Sequence, residues 1–340
     1  MAQAECDGAP WPGAVAVSGG GDSLALMLLA AEWARKRARA APVVLTVDHR
    51  LRVDSGKDAG AVASRARAAG LEAHILCWRG RKPRSDLEAA AREARYNLLG
   101  TWCRQHGVTG LYLAHTLEDQ AETFLLRLAR GSGIDGLSGM RPVAAIPSAN
   151  GTGVVVVRPL LAQRRGSLRK FLEARGERWI EDPLNFDPRF ARTRLRSSWQ
   201  DLEALGLSPA RIAAAASHMA RARRALEADT RALLGRACQL STDTALVDPE
   251  AIRQAPAEIG LRCLAAVLMR ISGRVYRPRF ERLERLYVLL TEDRLVSART
   301  LHGCRVGRAK KAQAIFGSGT ICITREEPRT RAAQGLSLKN

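Results

Sequence analysis

Apolar runs of four or five residues alternate, along the first half of the chain, with longer stretches whose apolar positions recur at helical spacing. Ala14 to Val17 is a small, β-branched run of the kind buried in a sheet, and Leu24 onward reads as an apolar helix. Val43 to Val47 is a second such run, and a helix is predicted from Ser55 to Ala69. A third strand lies near Ala73 to Leu76. Ser85-Asp86-Leu87-Glu88 has the form of a capping box, opening a long helix to about His106. Leu111 to Ala114 is a fourth strand, and Leu117 to Arg130 a helix stopped by Gly131-Ser132-Gly133. Val154 to Val157 is a fifth strand, leading into Arg158-Pro159-Leu160-Leu161.

Strands that alternate with helices predict an α/β fold, a parallel sheet with helices on both faces, because parallel strands need crossover connections. In such sheets ligands sit beyond the carboxyl ends of the strands. Polar clusters follow four of the predicted strands: Ser18 to Ser23, Asp48-His49-Arg50-Leu51-Arg52, His115 to Glu122, and Arg158. They are expected to converge on one edge of the sheet as a single site.

Further along, a short helix is expected from Ser167 to Gly176, and Ser208-Pro209 starts a helix with Ile212, Ala216, Met219, Leu226 and Leu233 at packing positions. Beyond Ser241 the order changes to helices near Glu258 to Ile271 and Arg279 to Leu290, then strand-like stretches at Thr300 to Val306 and Ala314 to Ile323. The division expected is a catalytic domain over 1–196, a helical linker over 197–240, a small α+β domain over 241–327 and a disordered tail over 328–340.

Composition alters this picture modestly. The 340 residues include 54 Lys and Arg against 34 Asp and Glu, a formal charge of +20, which suits a polyanionic partner. The excess is almost all Arg in an Ala-rich chain, a usage that genome composition also produces. Seven scattered cysteines without a Cys-x-x-Cys pair indicate neither a zinc module nor a disulfide framework. No stretch reads as a signal peptide or a membrane span, so the cytoplasm is the expected location.

The chemistry concentrates in three places. Ser18-Gly19-Gly20-Gly21-Asp22-Ser23 lets backbone N–H groups converge on an anion at a helix N-terminus. It lacks the Gly-Lys-Ser/Thr of a Walker loop and the spacing of a dinucleotide fold, and a plain tight turn with an Asp/Ser cap is the alternative. Asp119 and Glu122, three apart on one helix face, are suited to hold an ammonium and take its proton; an acidic turn that merely satisfies the helix dipole is the competing account. Arg189 to Arg196 carries four arginines around Phe190, either a phosphate-contacting strip or a solvated helix start.

Taken together, Ser18 to Ser23, Asp48 to Arg52 and His115-Thr116-Leu117-Glu118-Asp119-Gln120-Ala121-Glu122-Thr123 resemble the N-type ATP pyrophosphatase (PP-loop) superfamily. The resemblance is closer to the tRNA(Ile)-lysidine synthetases, through Leu87-Glu88 with Arg95-Tyr96, Arg130 to Met140, Trp179-Ile180-Glu181-Asp182-Pro183, Asn185, Phe190 and Arg192. It covers residues 14–196 densely. Gly21 stands where the family varies, and His115-Thr116-Leu117-Glu118 replaces a commoner His-His-Ala-Asp.

The resemblance implies a ligase that uses ATP to join L-lysine to the wobble cytidine of tRNA(Ile) with a CAU anticodon, through an adenylated cytidine. It places pyrophosphate on Ser18, Gly19, Gly20, Gly21, Asp22 and Ser23, Mg²⁺ on Asp22, and adenosine beside Asp48 and His49. It gives Asp119 and Glu122 to lysine, His115 to the adenylated intermediate, and Arg95, Arg192 and Arg194 to tRNA. A second copy of the chain is left open as a partner. Two other readings compete: a tRNA thiolation enzyme on the same fold, demoted by the lack of paired cysteines, and a non-catalytic ATP- or RNA-binding module, which has no use for an acidic pair beside an intact loop.

Overall fold

The computed structural model describes residues 8–83, 85–181, 187, 189, 191–274 and 276–326. Asp182, Pro183, Leu184, Asn185 and Phe190 of the family motif, and the tail expected to be disordered, lie outside the described residues. The chain divides into two compact units between Arg221 and Ala222.

The first unit runs β1 (Ala14–Ala16), α1 (Gly21–Lys36), β2 (Val43–Asp48), α2 (Ser55–Ala68), β3 (Ala73–Cys77), α3 (Leu87–Gln105), β4 (Gly110–Tyr112), α4 (Leu117–Leu128) and α5 (Ile134–Leu137). It continues with β5 (Val143–Ala145), β6 (Val155–Val157), α6 (Arg165–Glu173), α7 (Ala191–Ser197) and α8 (Trp199–Ala204). The six strands are ordered β3-β2-β1-β4-β6-β5. All neighbours are parallel except β5, which pairs antiparallel with β6.

The period-two alternation of the strands builds two cores. Val15, Val44, Tyr112 and Val157 face one way, toward Leu24, Met27, Val62, Leu168 and Leu172 of α1, α2 and α6. Ala14, Leu45, Leu111 and Val156 face the other way, toward Tyr96, Leu99 and Cys103 of α3. Each fully buried Leu in these layers contributes about 1.5–3 kcal/mol of apolar transfer, so the sheet is held from both sides. The chain leaves β1 toward β2 on one side and returns to β4 on the other, and that reversal opens a crevice above β1 and β4.

The expected α/β sheet is present and mostly parallel, with one addition: Val143–Ala145 forms an antiparallel edge strand too short and too plain in pattern to announce itself. Two expectations need correction here. The Ser85-Asp86-Leu87-Glu88 capping box does not form: Asp86 has φ 53°, in the left-handed region, and makes no side-chain cap. The helix expected from Ser167 starts two residues earlier, at Arg165.

The unit boundary falls inside α9 (Pro209–Ala237). The second unit adds β7 (Cys238–Leu240), β8 (Thr244–Val247), α10 (Pro249–Gln254), α11 (Ala257–Ser272), α12 (Phe280–Thr291), β9 (Arg299–Leu301), β10 (Cys304–Arg308) and β11 (Ile321–Arg325). Its sheet is antiparallel, ordered β7-β8-β11-β10-β9. Ala245, Val247, Val306, Ile321 and Ile323 pack on Leu264, Leu268 and Ile271 of α11 and Leu286 and Leu290 of α12. Residues 238–240, expected to end the linker, are instead the first strand of this sheet, and the stretch from Ala314 contributes only Ile321–Arg325. Among the described cysteines no disulfide forms, although Cys238 and Cys263 bring their sulfurs to 3.8 Å. No described helix is long and apolar enough to cross a membrane.

Candidate active site

The polar clusters converge as the strand order requires. Beyond the carboxyl ends of β1, β2 and β4 lies a cavity of about 880 Å³, bordered by Ser18, Gly20, Asp22, Asp48, His49, Arg95, His115 and Asp119. Its volume is within the range of small-molecule and cofactor sites. Arg165, Arg169 and Trp179 also border it, together with Arg196 of α7.

The glycine turn divides its labour between neighbours. Gly19 has φ +91°, and a Cβ there would lie 2.8 Å from Ile180 Cδ1 and 3.2 Å from Val62 Cγ2, so the turn itself demands glycine. It does not border the cavity. Gly20 has an ordinary φ of −68° as the N-cap of α1, and its Cβ position is open, with only Ser18 Oγ at 3.7 Å. Gly20 does border the cavity, so its bare face is available to a ligand. Ser23 Oγ fastens the turn by donating to Gly20 O (2.8 Å) and accepting from Ser18 N–H (3.2 Å).

At the end of β2, Asp48 is buried and accepts from Arg50 N–H at 2.8 Å, fixing the turn that presents His49. The His49 ring meets Trp78 edge-on, with centroids 6.0 Å apart.

Acidic groups gather on one flank. Asp22 stands in the first turn of α1, Asp119 at the third position of α4, and Glu122 one turn later. Asp119 has two tasks. Its Oδ2 accepts from Thr116 N–H (2.8 Å) and Thr116 Oγ1 (3.1 Å), capping α4, while Oδ1 is 3.2 Å from Arg165 Nη2. The helix-capping account of this residue is realised on one oxygen, while the other oxygen faces Arg165.

Arg165, at the start of α6, is the centre of this flank. Its Nε donates to Asp22 Oδ2 at 2.9 Å, and its Nη1 lies 3.8 Å from Glu122 Oε1. Burial raises Asp22 above the ordinary carboxylate range although Arg165 pulls the other way. Burial would raise Asp119 too, but Arg165, the Thr116 N–H and His115 more than offset it and hold that carboxyl low.

Further cations surround His115. Arg95 comes from α3 and Arg158 from the end of β6, and their Nε atoms are buried without a hydrogen-bond partner among the described residues. Burial, with Arg92 nearby, lowers both guanidiniums. Burial would raise Tyr96, yet Arg92, Arg95 and Arg158 hold its phenol below the usual value. His115 is pushed down to about 3 by burial, with Arg158, Arg95 and Arg92 adding to the effect, so it is neutral at physiological pH. Its Nδ1 is also buried and unpartnered. The cavity is thus lined by acidic and cationic groups together, suited to a ligand that carries phosphate and to a cation beside it.

Glu122, Arg192 and Arg194 do not border the cavity. Glu122 is entirely buried and lies behind Arg196 rather than at the cavity wall. Arg194 is exposed on α7 and donates to Arg189 O at 2.9 Å, whereas Arg192 is half-buried and its charge reaches Asp119 and Arg95. Arg165 and Arg196 were not singled out by residue pattern. The signals that pointed to them were slight: Gln163-Arg164-Arg165 soon after the fifth predicted strand, and the last arginine of the strip.

The described residues contain no group of three or more His, Cys, Asp or Glu arranged to hold a metal. Asp22 fits a shared Mg²⁺ site, since Mg²⁺ in nucleotide enzymes takes one or two carboxylates and completes its shell with phosphate and water.

Comparison with known proteins identifies the family. A PP-loop domain model matches residues 12–202. A tRNA(Ile)-lysidine synthase of Ruegeria pomeroyi is 42% identical over 265 residues, covering 78% of this chain and 62% of that protein. The enzyme of that name from Wolbachia pipientis wMel is 38% identical, covering 93% of this chain and 71% of the relative. One from a Bradyrhizobium strain is 39% identical, covering 94% and 91%. The chain therefore spans about three fifths of the length of the first relative and nearly all of the last.

Proposed function

Since the chain belongs to the tRNA(Ile)-lysidine synthase family, within the PP-loop proteins, we propose that it joins L-lysine to the 2-carbon of the wobble cytidine in tRNA(Ile) bearing a CAU anticodon. ATP is consumed, and AMP and pyrophosphate are released. The observation that carries this is the meeting of an open glycine turn and Asp22 with the Asp119–Glu122 pair, of which Asp119 borders the cavity and Glu122 lies buried directly behind Arg196. A binding module has no use for that pair, and a thiolation enzyme needs paired cysteines that the cavity lacks.

The cytosine 2-oxygen attacks the α-phosphorus of ATP, and the bond to the β-phosphate oxygen breaks. We assign the backbone N–H groups of Gly20 and Gly21, both bordering the cavity, to the charge that grows on the departing pyrophosphate. Mg²⁺ held with Asp22 supplies further charge neutralisation there. Arg95 and neutral His115, which also border the cavity, donate hydrogen bonds toward the α-phosphate of the adenylated cytidine. The lysine ε-ammonium then binds against Asp119 and Glu122, loses its proton to a carboxylate or through it to water, and attacks the 2-carbon; AMP leaves with the former 2-oxygen.

We assign tRNA contact beyond the wobble base to the arginines of α7 and to the second unit, which carries none of the cavity residues. The decisive experiment incubates the protein with CAU-anticodon tRNA, ATP, Mg²⁺ and lysine and analyses the wobble nucleoside by mass. Lysidine is expected together with AMP and pyrophosphate. ADP and phosphate, or a thiolated base, would refute the proposal.

A further inference from the structure

Glu122 cannot be approached from the cavity in this structure. Its side chain is 0% exposed, and both oxygens are taken by a single guanidinium: Arg196 Nε to Oε1 at 2.7 Å and Arg196 Nη2 to Oε2 at 3.2 Å. The same Nη2 lies 3.7 Å from Asp119 Oδ1, and Arg165 Nη1 lies 3.8 Å from Glu122 Oε1. An incoming ammonium meets two like charges before it meets the carboxylate.

The two arginines are held differently. Arg165 begins α6, where its backbone N–H donates to Glu118 Oε2 at 2.9 Å and its Nε to Asp22, and α6 is locked into the core by Leu168 and Leu172. Arg196 belongs to α7, a seven-residue helix with no buried residue. Such an element separates from its neighbours at little cost. α7 also carries Arg192 and the exposed Arg194, so three guanidiniums lie within five residues. A guanidinium engages phosphate with the same forked geometry that it offers a carboxylate.

We propose that Arg196 is a resident counter-ion that closes the ammonium site on Glu122 and Asp119, and that tRNA phosphates draw it away as they engage α7. Lysine is then admitted only after the RNA is seated. Charge is conserved in the exchange: one guanidinium leaves the carboxylate for a phosphate, and one ammonium takes its place. Arg196 is in this sense a positioning residue, acting through Glu122 to set the order of binding. The proposal rests on the lysidine-forming activity assigned above.

The test measures binding of radiolabelled L-lysine to the full chain by equilibrium dialysis, with ATP omitted so that no chemistry occurs, with and without CAU-anticodon tRNA. Wild type is expected to bind lysine about tenfold or more tightly when tRNA is present, within the usual range of coupling between sites. Reciprocity requires lysine to tighten tRNA binding by the same factor. Arg196→Met is expected to bind lysine without tRNA as tightly as wild type does with it, and to lose the coupling. Arg196→Lys, which keeps the cation with a single point of contact, is expected to retain part of the coupling and guards against a folding effect. Equal lysine affinity of wild type in both conditions, or no gain in Arg196→Met, overturns the gate while leaving the activity intact. Absence of lysine binding in every sample, with no lysidine formed in the full reaction, overturns the activity assignment and the gate with it.

Discussion

Arg165 and Asp22, 143 positions apart in the chain, are joined by a 2.9 Å hydrogen bond from the guanidinium Nε to Oδ2. This bond ties the start of α6 to the first turn of α1, at the point where the glycine turn delivers its carboxylate. Arg165→Met leaves Asp22 and Asp119 without their nearest cation and is expected to cost roughly 2–3 kcal/mol of stability. Millimolar Mg²⁺ is then expected to raise the melting temperature of the variant more than that of wild type, because a divalent cation replaces the lost charge. Equal Mg²⁺ shifts in the two proteins would remove Asp22 from the metal assignment.

Gly19 and Gly20 are predicted to fail in different ways. Gly19→Ala places a Cβ at positive φ against Ile180 and is expected to destabilise the fold by roughly 1–3 kcal/mol. Gly20→Val meets no such obstacle and should melt close to wild type while losing ATP turnover, since its side chain projects where phosphate approaches. Paired thermal melts and pyrophosphate-release assays check both; a Gly20→Val protein with normal turnover would show that the cradle lies elsewhere.

His115 gives the fold an acid limb. Its folded-state value of about 3 lies below the 6.5 of an exposed imidazole, so the unfolded chain binds the extra proton first as pH falls. The stability tied to neutral His115 is complete above pH 6.5 and declines on the order of 1 kcal/mol per pH unit below it, until the folded-state value is reached. His115→Gln is expected to flatten this decline. Denaturant titrations of both proteins at pH 7 and pH 5 measure it, and an identical pH 5 loss in the two would contradict the assignment.

Separation of the glycine turn from the acidic pair predicts that the two half-reactions come apart by mutation. Asp22→Asn should suppress tRNA-dependent pyrophosphate release. Glu122→Gln should keep that release but raise the lysine KM about 10- to 100-fold, the worth of one hydrogen bond between charged groups. Normal lysine saturation in Glu122→Gln would return the acidic turn to a structural role.

Elements that bury a continuous stripe were legible in the sequence, and elements defined by a neighbour were not. The central strands and α1 to α4 announce themselves because Val15, Val44, Leu111 and Val156 must be covered on both faces. From the order of those strands follows the edge on which Ser18, Asp48 and His115 meet. β5 escaped because three residues of Val and Ala carry no period and exist as a strand only through pairing with β6. β7 escaped because Cys238 to Leu240 continues a helix without a breaker. In the site, carboxylates and glycines were visible as local motifs, whereas Arg165 and Arg196 owe their importance to partners 143, 46 and 74 positions away, and no local pattern encodes that.

The division of Asp119 between two tasks bears on how variant libraries of this chain will score. One of its oxygens caps α4 and the other faces Arg165, so a replacement that removes both oxygens, such as Asp119→Ala, loses the cap and the ion pair together. A screen for cellular abundance will rank Asp119 among the folding residues, and a screen for activity will rank it among the chemical ones, with neither ranking separable from the other. Glu122 makes no cap, yet it is buried and holds Arg196 with both oxygens, so its removal strands that guanidinium and is expected to register in both screens as well.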